Sequence, residues 1–561
     1  MAASRGHPLK GDRLLDFDFI IVGAGSAGCA LAHRLSANPA HRVLVLEAGK
    51  DENGLIVRMP KGFGKLLFDR HHVRRFDTEP EPGNGQESES WPRGRMLGGS
   101  STVNGMFYTR GQAQDFDDWA ALGNPGWGWS DIGPCFKAME DHELGADQVR
   151  GAGGPLRVSC HPNPHPLCDA TIAAGAALGL PVRDDLNRPD HEGIGYVQFT
   201  IRDGRREDAA SAFLRPVMHR PNLEVVTHFF VERVIIEQGR AVGVRGRHNG
   251  QPREYRARRE VILAAGALQS PQLLQLSGIG PAAHLAQLGI EVVHDLPGVG
   301  QNLREHRMFV TQFRLRQPLS LNGEFGGWRL GRNVLRYLLA RRGLMATGSH
   351  DVVAFLRSEP ELDRPDVELV MAPFSLLPGK LSMAFEKVPG MQLFGFQLRP
   401  QSQGSVLIRS ADPAADPEIR SNFLTADVDR ASSGRILRAI RRLVAQPPLA
   451  GLLDGETAPG AAVQTDAEAV DWHAAMGGPV AHIAGTCRMG SDAMAVVDAQ
   501  LRVHGVAGLR VVDCSIMPTL VSAHTNAAAM VIGWRAADFI DTGHAATVTS
   551  GRPRTAAVAI D

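Results

Sequence analysis

Gly23, Gly25 and Gly28 stand in the run Gly23-Ala24-Gly25-Ser26-Ala27-Gly28. This Gly-x-Gly-x-x-Gly spacing permits a tight turn and lets an anionic pyrophosphate come close to a helix N-terminus. Glu47 follows about 20 residues later, where a carboxylate accepts hydrogen bonds from ribose hydroxyls. The flanking residues supply the elements that such a turn needs. Residues 17–22 (FDFIIV) read as a buried strand, 29–35 as a helix, and 42–46 (RVLVL) as a second strand that ends at Glu47. Strand, glycine turn, helix, strand and acid together predict a dinucleotide site. Without that context the glycines would mean a turn in an ordinary parallel sheet. The unit by itself leaves FAD and NAD(P) open.

A second stretch with chemical potential is Gly98-Gly99-Ser100-Ser101, within Trp91-Pro92-Arg93-Gly94-Arg95-Met96-Leu97 and on to Val103-Asn104-Gly105-Met106. Its backbone is able to lie against a flat or anionic ligand, and it offers two hydroxyls. Further on stand Gly266-Ala267-Leu268-Gln269-Ser270-Pro271, continuing to Gly280, and Gly298-Val299-Gly300-Gln301-Asn302-Leu303-Arg304-Glu305-His306. Then come His482-Ile483-Ala484-Gly485-Thr486, continuing to Gly490, and 509–526 (LRVVDCSIMPTLVSAHTN). These ordered segments resemble the signature motifs of the glucose–methanol–choline (GMC) oxidoreductases, with a general look closest to bacterial choline-dehydrogenase-like members. The likeness runs from about Phe17 to Ile540. Glu305 stands where the family usually has Asp, and Ile483 where it usually has Pro.

The resemblance implies FAD as cofactor and an alcohol as substrate. It implies cofactor contacts from Gly23, Gly25, Ser26, Ala27, Gly28, Glu47 and Ala48 in the first unit. From the second stretch it implies Leu97, Gly98, Gly99, Ser100, Ser101, Asn104, Gly105 and Met106. Later in the chain it adds Val231, as a backbone contact to adenine, and Ala481, Asp513 and Thr525. Some members attach FAD covalently through a histidine; Val103 holds that position here, so non-covalent FAD is expected. The catalytic pair is implied to be His482 and His524, the His–His version of a site whose second member is elsewhere Asn. Alcohol oxidation needs a base for the hydroxyl proton and a hydride acceptor; histidine suits the first task near neutral pH and flavin the second. His482 is expected to be the main base and His524 its partner or the substrate orienter. The electron acceptor is expected to be quinone-like or oxygen. Two other activities remain open: a hydroxynitrile-lyase-type enzyme of the same family, and an NAD-dependent dehydrogenase if the first motif alone is trusted.

These segments must be assembled by a larger framework. The expected fold is α/β (α+β overall), a Rossmann-like FAD-binding domain interleaved with a substrate domain on an antiparallel sheet. The FAD domain is expected over 14–160, 205–320 and 485–545, and the substrate domain over 161–204 and 321–484. Residues 229–236 and 260–265 read as strands of the first domain; 366–371, 391–398 and 404–409 read as strands of the second. Phe355, Phe374 and Phe394 are candidates to reach the pocket. Residues 546–561, rich in small residues and without helical periodicity, read as a disordered tail.

The chain has 561 residues, 62 of them glycine, and 60 basic against 60 acidic side chains. Zero net charge excludes a general electrostatic grip on nucleic acid, which needs a basic excess. Six scattered cysteines suggest no disulfide framework, and neither a signal peptide nor a spanning run is legible, so a cytoplasmic protein without an integral membrane span is expected. Cys160, His161, His165 and Cys168 carry metal-ligand types but sit in a proline-rich stretch, and no metal is expected. His71 and His72, beside Arg70, Arg74 and Arg75, read as a solvated basic loop. Residues 329–342 read as an amphipathic helix packed on the core.

Overall fold

The computed structural model describes residues 16–377, 379 and 384–550, with the backbone alone for Asp16 and 543–550. The run FDFIIV is apolar on both faces because it lies inside a parallel sheet covered on both sides. Strand Asp16–Val22 pairs in parallel with Val43–Leu46 on one side and with the second half of Gln251–Leu263 on the other. Leu223–Val226 extends the sheet beyond Val43–Leu46. The long strand Gln251–Leu263 serves two ladders. Its first half runs antiparallel to Arg240–His248, which pairs with Phe229–Glu237, and its end runs parallel to Leu509–Val511. Segments distant in sequence thus share one sheet, and the strand ends at Val22, Leu46, Leu263 and Val511 gather on one edge. Helix Ser26–Leu35 packs along the closing helix Thr525–Ser550. Their contact needs Gly533, where a Cβ would stand 2.1 Å from the carbonyl oxygen of Ala27.

The second sheet is antiparallel, as expected for the middle of the chain. Its order is Leu453–Ala458, Arg307–Leu315, Gly390–Gln397, Val367–Ala372, Val352–Leu356, Gly193–Tyr196. The period of two sorts its side chains. Phe309, Phe313, Ala354, Leu369, Met371, Met391 and Leu393 join the cluster under helices Pro166–Ala177 and Asp427–Val444. Val353, Phe355, Val370, Phe394 and Phe396 join a cluster with Met106, Phe107 and the partly buried Met308 and Val310. Glu368 shares the parity of Val370, so it stands on this second face.

Several expectations need adjustment. Strand Arg307–Leu315 lies inside the segment 205–320 assigned to the cofactor domain, yet it is a central strand of the second sheet. Ser405–Leu407 forms a ladder with Glu418–Arg420 rather than joining that sheet. The closing helix continues to Ser550, into the stretch 546–561 expected to be disordered. Adding residues to an existing helix costs far less than starting one, so the helix carries on without a periodic pattern; residues 551–561 lie outside the described residues. Helix Gly327–Ala340 packs through Leu330, Val334 and Tyr337, but Trp328, Leu335, Leu338 and Leu339 are exposed. Among the described residues no helix is long and apolar enough to cross a membrane.

Candidate active site

Between the edge of the first sheet and the inner face of the second lies a cavity of about 660 Å³. Gly23, at φ +105°, makes the turn after strand Asp16–Val22 beside Ala264, where a Cβ would lie 2.4 Å from the carbonyl oxygen. Gly25 caps helix Ser26–Leu35, whose first N–H groups have no acceptor within the helix. A Cβ on Gly25 would meet nothing within 4 Å, because that direction opens into the cavity. Gly99 lies against it, a Cβ there coming 2.7 Å from Gly25 Cα. Glu47 is buried; its carboxylate accepts from Ala24 N at 3.0 Å and Gly49 N at 2.8 Å. Burial raises its pKa, while those N–H groups and Arg95 pull it down. Asp513 accepts from Gly266 N at 2.9 Å, Ser270 Oγ at 2.6 Å and Ser515 N at 2.8 Å, tying the loops at the sheet edge together.

Of the expected cofactor contacts, Gly23, Gly25, Ser26, Ala27, Glu47, Ala48, Ser100, Gly99, Asn104, Gly105, Met106, Val231, Ala481, Asp513 and Thr525 line this cavity. Gly28, Leu97, Gly98 and Ser101 stand behind it. A Cβ at Gly28 would come 2.1 Å from Gly23 O, so its lack of a side chain serves helix packing. Gly98 N donates to Ala24 O at 2.8 Å, and Ser101 Oγ donates to Gly98 O at 2.6 Å while accepting from Ala209 N at 2.9 Å. The first of these bonds joins the two glycine stretches, and the last ties the second stretch to Ala209. Of the three phenylalanines, Phe394 lines the cavity; Phe355 packs on His191, and Phe374 on Phe325 and Phe385. Arg74 and Arg75 also line it, so that segment is not the purely solvated loop expected; Arg74 is held by Asp416 at 2.7 Å. His161 bonds Asp351 at 2.8 Å and His165 caps helix Pro166–Ala177, so both imidazoles have structural partners.

His482 and His524 meet at the same cavity, with His482 Nε2 3.0 Å from His524 Nδ1. The pair belongs to a longer chain. His482 Nδ1 is 2.8 Å from His306 Nδ1, whose Nε2 is 2.9 Å from the carbonyl oxygen of Leu398. At the other end, His524 Nε2 is 2.8 Å from Glu368 Oε1. One acceptor sets the polarity of the whole chain. Leu398 O only accepts, so His306 Nε2 carries hydrogen. Burial pushes the His306 pKa down to about 3, so its Nδ1 is bare and accepts from His482 Nδ1. Burial, then the neighbouring His524 and His306, hold the His482 pKa well below the ordinary histidine range. Its Nε2 is therefore a lone pair, and His524 Nδ1 donates to it. Whichever side of the His524–Glu368 contact holds that proton, His524 Nδ1 keeps its hydrogen. The ring of Phe107 lies over His524, centroids 4.3 Å apart. The backbone N–H of His482 donates to Glu305 Oε1 at 2.7 Å. Burial pushes the Glu305 pKa up to about 8, with Arg93 pulling the other way. Arg93 donates to Ala481 O at 3.1 and 3.2 Å.

His306, Glu368 and Phe107 escaped the sequence reading. His306 was legible as a motif residue but its role was not. Glu368 carried one signal: a carboxylate inside an apolar strand run must be buried on whichever face it takes.

The residues present fit FAD: an open glycine cradle at a helix N-terminus, a buried carboxylate behind the second strand, and a cavity that continues from there to an imidazole lone pair. A site of this kind is that of a flavin-dependent oxidoreductase. Sequence profiles of the GMC oxidoreductase N- and C-terminal regions match residues 17–308 and 400–533, and the chain belongs to this family of FAD-dependent enzymes. It is 39% identical over 533 residues to an oxygen-dependent choline dehydrogenase of Brucella suis biovar 1 (strain 1330), covering 94% of this chain and 96% of that one. A protein of the same name from Sinorhizobium medicae (strain WSM419) is 41% identical over 527 residues, covering 93% and 95%. The crystal structure of pyridoxine 4-oxidase from Mesorbium loti superposes with a TM-score of 0.84 at 32% identity, covering 94% and 99%. A match that extends through residue 533 sets aside the NAD reading, which rested on the first motif alone.

Proposed function

We propose that this enzyme oxidises an uncharged, largely apolar primary or secondary alcohol to the aldehyde or ketone, using non-covalent FAD and passing electrons to a quinone-like acceptor or to oxygen. The observation that carries the reading is the fixed polarity at the histidine pair: one lone pair and one N–H, 3.0 Å apart, both at the cavity. A substrate hydroxyl that displaces this contact, the two rings parting to admit it, donates to His482 Nε2 and accepts from His524 Nδ1. His482 then takes the hydroxyl proton while the His524 N–H stabilises the charge growing on oxygen. FAD, when bound, supplies the hydride acceptor. Phe107 and Glu368 hold the His524 ring, and His306 holds that of His482. Val103 is buried and bears no nucleophile, which supports non-covalent binding.

The substrate class follows from the wall that the second sheet presents. Met308, Val310, Gln312, Leu376, Leu377, Gln392 and Phe394 line the cavity there, with His350 beside them. Among the described residues this wall carries no carboxylate, and Glu368 is occupied by His524. Behind His350, Lys61, held on Ser349 O at 3.3 Å, and the carboxylate of Asp351 act in opposite directions, so they offer no unopposed negative charge. Choline, named for the relatives, is a quaternary cation. Aromatic faces alone supply about 0.5–2 kcal/mol for such a group, and no carboxylate among the described residues of this wall adds to it. The test is anaerobic mixing of the FAD-loaded enzyme with choline, benzylic alcohols and linear aliphatic alcohols, following flavin absorbance. Rapid bleaching by the neutral alcohols and slow or absent bleaching by choline is the expected result. Preference for choline overturns the substrate class. Turnover of a cyanohydrin without bleaching by any alcohol overturns the reaction.

A further inference from the structure

Helix Gly327–Ala340 turns the usual amphipathic arrangement outward. Its buried side is narrow: Asn333 and Tyr337 are buried, and Leu330 and Val334 half-buried. The opposite side exposes Trp328 at 71% and Leu339 at 79% of their surface, with Leu335 and Leu338 also open. Spacings of seven, ten and eleven residues place all four on one stripe of a 3.6-residue helix. Around that stripe stand Arg329, Arg332, Arg336, Arg341 and Arg342, against one carboxylate, Glu324, in residues 321–343. Glu324 pairs with Arg332 at 2.8 Å and Arg329 at 3.8 Å. Among the described residues Arg336, Arg341 and Arg342 make no ion pair. A large exposed apolar stripe with an arginine border costs solvation unless something covers it.

The helix also sits beside the way into the cavity. Tyr337 packs on Met59 and its hydroxyl reaches Arg58 O at 3.3 Å, next to the segment whose Phe63, Leu67 and Phe68 line the cavity. At the helix start, Phe325 stacks on Phe385, centroids 4.4 Å apart, and Phe385 bridges to Leu376, another lining residue. Exposed Phe68 and Leu377 continue the apolar surface.

We propose that this helix docks the enzyme on an anionic lipid surface, with the cavity mouth facing the bilayer. A tryptophan and leucine stripe bordered by arginines has the chemistry of a helix lying in the headgroup plane, apolar side down and cations against lipid phosphates. Charge complementarity favours this occupant over a second copy of the chain, because a symmetric contact on this face would bring two arginine borders together. Docking would deliver apolar alcohols or a lipid-soluble acceptor straight to the mouth, but the proposal itself concerns the surface and does not depend on which alcohol is oxidised.

The experiment is flotation of the FAD-loaded enzyme with vesicles of phosphatidylcholine alone and with about 30% phosphatidylglycerol. Partitioning is expected to be tenfold or more stronger on the anionic vesicles and to weaken in 0.5 M salt, since surface charges are screened. The double substitution Trp328→Ser/Leu339→Ser should lower it at least tenfold. Arg336→Gln/Arg342→Gln should lower it on anionic vesicles by about fivefold per arginine. Turnover with a soluble dye acceptor should be unchanged in both variants, because these side chains are exposed and lie outside the catalytic pair. No enrichment of the parent enzyme on anionic vesicles overturns the proposal. So does a solution dimer that Trp328→Ser/Leu339→Ser converts to monomer, which would make the face a contact between copies.

Discussion

Along the wall formed by the first sheet, Gly23, Gly25 and Gly99 bring bare backbone to the cavity; along the wall formed by the second, Met308, Val310, Gln392 and Phe394 bring side chains. The first wall is proposed to hold the phosphates of the cofactor through close approaches that exclude a Cβ at Gly23 and Gly99 and open space at Gly25, so its residue types are set within two short stretches of sequence. The second wall is shaped by alternate residues of strands far apart in the chain, and its chemistry depends on which side chains stand opposite one another. His482 and His524, the proposed catalytic pair, lie where the two meet. His482 follows Ala481, which is held at φ +74°, and His524 precedes the closing helix that packs on the glycine unit. The cofactor wall therefore admits little change without loss of FAD, whereas the substrate wall is free to change substrate while the fold stands.

The sharpest way to break this contrast is Gly25→Val. Gly25 has φ −80°, which a side chain tolerates, and its missing Cβ points into open space. The variant should therefore fold, with unchanged far-UV circular dichroism, and lose bound FAD, read as loss of the flavin absorption band after purification. Retained FAD would show that the cavity at Gly25 is not where the cofactor's phosphates lie. On the other side of the contrast, His482→Ala should keep the flavin band and lower the rate of flavin reduction by about 10²–10⁴-fold, the range for a lost acid–base group. Unchanged reduction in that variant would remove His482 from the chemistry.

These two substitutions also mark what was legible in the sequence. The glycine cradle was legible because local geometry dictates its residue types: a positive φ at Gly23, open space at Gly25, and at Gly28 a neighbour too close for a Cβ. The two histidines were legible through motif likeness, since nothing in their spacing of 42 residues announces a 3.0 Å contact. Glu368 was hidden by its setting: in the strand run Val367–Ala372 it looked like one member of an alternating strand, and only the antiparallel pairing of Glu368 with Phe396 brings it under His524. His306 was hidden in the same way, since its partner carbonyl, Leu398, comes from a different strand end. The boundary near 320 fell late because Arg307–Leu315 follows directly on a cofactor-domain motif, and a sheet change of this kind leaves no punctuation in composition. The outward-facing helix was misjudged because amphipathic periodicity fixes two faces but not which of them meets the core.

Glu368→Gln tests the end of the histidine chain with a smaller effect. The amide keeps the volume but puts a neutral group where the carboxylate faces His524 Nε2 at 2.8 Å. Flavin reduction should slow by about 10²-fold, with the half-saturating alcohol concentration changed little. The pH profile supplies a readout that a packing defect would not move. His524 is one cause of the lowered His482 pKa. Weakening that contribution raises the His482 pKa, and the acid limb of the reduction rate moves up toward the ordinary histidine range near 6.5. A slower variant with an unmoved limb would assign Glu368 to packing alone.

The smallest effect concerns stability, and it asks whether the two walls fail together. His306 and His473 are both buried against the second sheet, His306 beside Phe396 and His473 beside Phe309, and burial pushes each pKa down to about 3. The unfolded chain restores these imidazoles to about 6.5, so between those values it binds protons that the folded chain excludes. Stability from each group is complete above pH 6.5 and falls as pH drops toward 3, by about 1.4 kcal/mol per pH unit. Replacing His473 with Gln, which has no such titration and can still serve Ser433 and the carbonyl of Arg307, should therefore flatten the loss of stability between pH 6 and 4. Hydrogen exchange during that descent separates the walls. If the substrate wall is the acid-sensitive part, amides of Gly390–Gln397 lose protection before those of Asp16–Val22. Simultaneous loss would mean that the interleaved segments fold as one cooperative unit, because chain crossings between the sheets then outweigh the chemistry that distinguishes them.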